Sequence, residues 1–529
     1  MSARLFRRLG TPPAAAAALG VWLLGLVLSV PSCLTAGCGC ASPSASVSGS
    51  ASGSGSGSAS ASASPSASAS PSATAAYAAR DFLVAGRLVG PAVASASAPP
   101  SASGIRWGED DYAGALAAAK AAGKPLFIDA WAPWCHTCLS MRSYVFTDAA
   151  LAPLADHFVW VAIDTEKESN APVVARFPVS VWPTFFVVDP ADESVQGRWL
   201  GAASVAQLRA FLLDGERAVQ LAHAGALAPG DPLARLLAAH REAVAKRWPE
   251  AAARYGEAIA AAPPDWPHRP EALVARIEAL YRGKDDAACV ALGLTSMGET
   301  GSTASATDFA NFALSCAGHL PKGDARARAL RRAAAARLAE LAGDPLAALS
   351  ADDRSDAYMN LHDALEALSD AAGARAAAEK RLAVLKAAQA AAPDAYTAST
   401  FDWAYAESCL FLGRGEEAIP MLEAHEKALP DEYNPPHFLA RLLHFMKRDA
   451  DALAPMDRAL AKAYGPRRAA IMGLKADILE GLGRLADARA VLAAQVAAWE
   501  ALPEAQRKEE SLARARERLA ALDAKLAKK

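Results

Sequence analysis

An excess of charge of either sign is missing from this sequence. Its 54 Lys and Arg stand against 57 Asp and Glu, a formal net charge of -3 over 529 residues. That balance gives no reason to expect nucleic acid or an acidic surface as a partner. Cysteine is sparse as well: eight in all, which do not form a dense disulfide framework. Runs of β-branched residues are almost absent after residue 222, so that half reads as helix rather than sheet. It also has no basic cluster that would single out a ligand. The length leaves room for more than one domain.

Against this background one stretch stands out, Trp134-Cys135-His136-Thr137-Cys138. Cysteines at this spacing fit the first turn of a helix, where unpaired N–H groups and the helix dipole stabilise a thiolate. Such placement lowers a cysteine pKa from about 8.5 to roughly 3.5–7.5 and makes it nucleophilic at neutral pH. Cys135 would attack a disulfide and Cys138 would resolve the mixed disulfide. Zinc sites share the spacing but need further ligands. No second C-x-x-C is present, and Cys289, Cys316 and Cys409 are singletons. The pair therefore reads as a redox site, with a metal site or a structural disulfide as alternatives; no metal and no cofactor is called for.

The N-terminus reads as a targeting segment over residues 1–38. Arg4, Arg7 and Arg8 precede an apolar run from Ala14 to Val30. The run ends in Leu34-Thr35-Ala36-Gly37-Cys38, which resembles a bacterial lipobox with Cys38 as the lipidated residue. Thr35 departs from that pattern, which prefers Leu there. Cys33 is a weaker candidate; ordinary secretion and an uncleaved anchor are the other readings. Residues 39–103 are mostly Ser, Ala, Gly and Pro, too little apolar surface to offset chain entropy, and read as a disordered linker. A tether of about 60 residues would have a root-mean-square span of about 40 Å.

Residues 104–215 alternate strand and helix. Asp111 to Ala122 has helical composition ending at Gly123. Pro125–Ala130, Val159–Asp164 and Thr184–Val188 read as strands, Gly197–Leu200 as an edge strand, and Ser204–Leu213 as a helix capped by Ser204. A sheet of mixed direction follows. The segment resembles the thioredoxin family over about 110 residues, on three matches in order: Ile128–Cys135 for the lead-in to the active site, Phe177–Thr184 for the cis-proline loop, and Gly201 through Phe211 for the closing strand and helix. Ser143–Asp148 is most similar to the periplasmic thioredoxin-like domain of the transmembrane thiol-electron transporter. The resemblance implies that Asp129 is the buried acid that handles the proton of Cys138. It implies that Pro183 is the cis-proline packed on the cysteines, and that Trp182 offers backbone groups to an extended substrate. Trp131 and Trp134 would shield the site, and His136, Thr137 and Trp134 would tune it. Where many thioredoxins carry a lysine near the acid, this chain has Trp160; without that cation Asp129 is easier to keep protonated.

Residues 222–529 are rich in Ala, Leu, Arg and Glu. Turns recur at Lys246-Arg247, Gly283-Lys284, Gly413-Arg414, Lys447-Arg448 and Gly483-Arg484, and the intervals from Gly413 to Lys447 and on to Gly483 are 34 and 36 residues. That is the period of helix-turn-helix solenoids, and Trp248–Pro263 resembles a tetratricopeptide repeat. Between 290 and 400 the register is loose. Cys289, Cys316 and Cys409 are most simply small buried side chains, pairing of two of them being the alternative.

The expectation is therefore an α/β thioredoxin-like domain followed by an all-α tetratricopeptide-like helical repeat domain. Its function would be that of an exported, lipid-anchored thiol–disulfide oxidoreductase on the periplasmic side of a bacterial membrane. Expected partners are protein thiols and disulfides, a membrane thiol-electron donor, and a protein or peptide on the repeats. The competing reading is a binding scaffold whose head is only a docking module.

Overall fold

The computed structural model describes residues 102–527. The targeting segment, Cys38 and nearly all of the linker expectation lie outside them. Among the described residues no helix is long and apolar enough to cross a membrane.

Five strands, β1 (Trp107–Glu109), β2 (Leu126–Trp131), β3 (Val159–Asp164), β4 (Thr184–Val188) and β5 (Val195–Leu200), form one sheet in the order β1-β3-β2-β4-β5. β2 pairs parallel with β3 and antiparallel with β4, so it is central, which is why five of its six residues are buried. Period-two alternation sends Phe127 to an aromatic core with Phe146, Trp160 and Phe185, and Ile128 and Ala130 to the opposite core with Val161, Ile163 and Phe186. Asp129, two residues from Phe127, falls on the aromatic side.

Helix α1 (Tyr112–Ala122) starts at the Asp111 cap and stops at Gly123, whose φ of 62° is left-handed. Helix α2 (His136–Ser140) carries the cysteine pair and continues as a wider π turn over Met141–Val145. Helix α3 (Ala171–Arg176) leads to the Trp182–Pro183 peptide, which is cis. Helix α4 (Val205–His223) has the expected Ser204 cap, as a capping box with Gln207, but runs ten residues past the expected Leu213. Strand β1 was not expected.

Beyond α4 the described chain is built of helices joined by turns. Helices α5 (Pro232–Val244) and α6 (Trp248–Ala261), α7 (Arg269–Arg282) and α8 (Asp286–Ser296), α9 (Ala304–His319) and α10 (Ala325–Gly343), and α11 (Ala351–Ala367) and α12 (Ala371–Ala391) form successive hairpins. After the short α13 (Ala395–Ser399) come α14 (Asp402–Phe411) with α15 (Ile419–Ala428), α16 (Asn434–Phe445) with α17 (Asp449–Lys462), α18 (Gly465–Gly481) with α19 (Leu485–Ala501), and finally α20 (Glu509–Leu526). The recurring turns each place one residue in the left-handed region: Lys246, Lys284, Gly413, Lys447 and Gly483. Ser369 does the same between α11 and α12, within the 290–400 stretch of loose register, where a serine carries no glycine-like signal.

One expectation is corrected. Cys289 and Cys316 are not separate small side chains: packing of α8 on α9 brings their Cα atoms to 6.2 Å and the two form a disulfide. Cys409 is free and buried.

The repeats close on the chain's own sheet domain along most of their length. Gln207 Nε2 bonds Thr303 and Ser305, at 3.1 and 3.2 Å. Asn434 donates to the Pro133 carbonyl at 2.7 Å, Tyr464 to Asp164, and the Arg467 amide to Glu166. Gln506 donates to the Thr165 and Lys167 carbonyls at 2.9 and 2.8 Å. The approach is close enough at Gly465, φ 52°, that an added Cβ would overlap the Glu166 carbonyl oxygen.

Candidate active site

Strand β2 delivers the chain to Cys135, which caps α2 from an extended backbone conformation. Its Sγ accepts the Cys138 amide at 3.0 Å, taking up one of the unpaired donors of the helix start. The two sulfurs are bonded to each other, and the residues are only 4% and 1% exposed. Cys135, Cys138 and Ala132 form a small core ringed by Trp131, Trp134 and Trp182, so the structure brings the two expected walls to one place.

Two of these rings are held by hydrogen bonds to the loop after β3, while the Trp131 indole N–H has no partner. The Trp134 indole donates to Glu166 at 2.8 Å and the Trp182 indole to Thr165 at 2.8 Å, with the rings 5.2 Å apart. From the repeats, Arg467 lies 5.4 Å from the Trp134 ring centre and Lys508 lies 5.3 Å from that of Trp182. Pro183 is buried beside them, and its carbonyl accepts the Gly201 amide at 2.9 Å.

Asp129 is 1% exposed and its Oδ1 has no hydrogen-bond partner. Burial pushes its pKa up to about 7, against the pull of the Arg142 guanidinium. The cation missing at Trp160 is thus partly supplied from elsewhere. Arg142 sits in the π turn, 4.1 Å over the Trp131 ring and paired with Glu109 at 2.6 Å. Nothing in the sequence marks Arg142 for this place.

His136, the first residue of α2, faces the repeats. Its Nδ1 lies 2.9 and 3.0 Å from the two oxygens of Asp352, and Nε2 lies 4.0 Å from Asp356 Oδ1. Burial opposes the imidazolium, but the charge of Asp352, then that of Asp356 and the hydrogen bond, outweigh it and raise the pKa to about 10. Some 34% of the side-chain surface stays exposed, so water screens part of this attraction. Thr137 Oγ1 lies 3.4 Å from the same Nδ1. The sequence held no pointer to Asp352, because acids at a helix start read as complements to the dipole. Among the described residues no group of three His, Cys, Asp or Glu is placed to hold a metal ion.

Comparison with known proteins agrees with this geometry. Residues 107–190 match the model of a thioredoxin-like family. A thiol:disulfide interchange protein, DsbD, of Pseudoalteromonas atlantica is 30% identical over 90 residues, which are 17% of this chain and 15% of that protein. Among solved structures, a tetratricopeptide repeat protein from Parabacteroides merdae aligns over 54% of this chain and 98% of its own, at 12% identity and a TM-score of 0.35. A Rap protein complexed with a competence and sporulation factor aligns over 60% and 84%, at 16% identity and a TM-score of 0.29. Residues 107–190 thus lie in a thioredoxin-like domain, and the helical hairpins follow it.

Proposed function

We propose that this chain is an exported thiol–disulfide oxidoreductase acting on protein substrates. The observation that carries the reading is Cys135 capping α2 with Cys138 one turn behind it, while the buried Asp129 on β2 keeps an unpaired oxygen. In the reduced protein the Cys135 thiolate attacks one sulfur of a substrate disulfide, forming a mixed disulfide and expelling the other sulfur as a thiolate. Cys138 then loses its proton to Asp129 and attacks Cys135 Sγ. The second substrate thiolate leaves, the Cys135–Cys138 bond forms, and two electrons have passed to the substrate. A membrane thiol-electron donor restores the dithiol by the reverse exchange. Trp182 and Pro183 receive an extended substrate strand, and Trp131 and Trp134 exclude water.

The disulfide Cys289–Cys316 supports an oxidising compartment, in keeping with export and with Cys38 as a lipid anchor. The direction we infer is reduction or isomerisation. A second reading, in which the head is only a docking module for the repeats, is favoured by one fact: Cys135 is 4% exposed beneath them. Disulfide turnover separates the two. Cys135→Ser abolishes exchange and Cys138→Ser accumulates a mixed disulfide under the first reading; a wild type without turnover is the outcome of the second, and undiminished turnover by Cys135→Ser overturns the first.

A further inference from the structure

We propose that Asp352, assisted by Asp356, is a positioning residue supplied by the repeats, which holds His136 as an imidazolium beside Cys135 across the whole neutral pH range. The inference rests on the oxidoreductase reading and names how that site is tuned.

Hydrogen-bond capacity makes the case first. A carboxylate only accepts, and here one carboxylate meets Nδ1 while a second approaches Nε2. The hydrogen bond to Asp352 puts a proton on Nδ1, and a neutral ring would then turn its Nε2 lone pair towards the Asp356 carboxylate 4.0 Å away, so the two carboxylates together favour a proton on both nitrogens. Asp352 is 1% exposed, so its charge lacks water and needs a cation. Arg381 of α12 also acts on this cluster, but its guanidinium is engaged with Glu407 at 2.9 Å and Ser355 Oγ at 3.1 Å. His136 is therefore the cation left for Asp352. The charged groups facing the ring are Asp352 and Asp356 from α11 and Arg381 from α12, with the Thr137 hydroxyl from its own helix.

The consequence lies in the neighbouring residue. A positive charge next to Cys135 stabilises its thiolate, favours the dithiol over the disulfide and makes the pair more oxidising. An unpaired histidine would switch that charge off near pH 6.5. One paired to Asp352 does not, so the thiolate keeps its stabilisation, and the pair its more oxidising potential, through neutrality. The repeats thus act on the chemistry from 216 residues away.

The test uses the full chain. In Asp352→Asn, His136 returns to the ordinary titration range. The pH profile of Cys135 alkylation then gains a second step near pH 6–7, and at pH 8 the glutathione equilibrium moves about tenfold towards the disulfide. Asp352→Glu restores the single-step profile. In the His136→Gln background, Asp352→Asn changes neither readout. A folded Asp352→Asn protein with the wild-type profile and potential overturns the proposal. If that variant does not fold, NMR titration of His136 in the wild type decides: a midpoint above pH 8 supports it, and one near 6.5 overturns it. A wild type that exchanges no disulfide, yet holds His136 charged above pH 8, would count against the oxidoreductase reading alone.

Discussion

Arg198 in β5 and Glu278 in α7 form an ion pair at 3.2 Å with side chains only 1% and 0% exposed, joining the sheet domain to the repeats. Ser180 also donates to Glu278 and shares the Arg198 guanidinium, while Arg282 from the same helix donates to the Ser180 carbonyl. Ser180 belongs to the loop that leads to Pro183, so this contact anchors the far wall of the active site.

The first prediction follows from that pair. Glu278→Gln leaves Arg198 charged and without a counter-ion in a dry interface, which destabilises by about 3–5 kcal/mol. Arg198→Met combined with Glu278→Leu recovers most of this, because no buried charge is stranded. Urea unfolding of the three proteins measures both effects; equal midpoints for the wild type and Glu278→Gln would show that the pair contributes nothing.

Asp129 yields a pH dependence. Its pKa is raised from 3.8 to about 7 in the folded chain, so the folded state binds the extra proton between those values. Stability from this group is full below pH 4 and is lost as pH rises through 7. The shift corresponds to a loss of up to about 4 kcal/mol. Asp129→Asn should flatten the slope relative to wild type between pH 4 and 8, and slow release of the mixed disulfide at least tenfold if Asp129 takes the Cys138 proton. Parallel stability-versus-pH curves for the two proteins would refute the assignment.

The Cys289–Cys316 bond closes a loop of 27 residues within the repeats. Chain-entropy arguments put its loss at about 3.5 kcal/mol. Cys289→Ser should lower the melting temperature in non-reducing buffer, and reductant should lower that of the wild type towards it. Cys409, buried and with its thiol pKa pushed up to about 11 by burial, stays unreactive to alkylation in the folded protein.

What the sequence determined by itself was local. The Asp111 and Ser204 caps, the Gly123 stop, the strand feeding Cys135 and the helical hairpins are set by residues within a few positions of one another. There periodicity and capping chemistry act directly. The lysine and glycine turns were legible for the same reason, whereas Ser369 was not, since serine does not announce a left-handed backbone. Tertiary structure alone decided what meets the active site. Asp352 reaches His136, Glu278 reaches Arg198, Asn434 reaches Pro133 and Cys316 finds Cys289 only because successive hairpins stack and bring the repeats against the sheet domain. Each of those side chains reads in the sequence as a cap, a surface charge or a small core residue. The free energy that gives it another role comes from desolvation at a long-range contact, which no local pattern encodes.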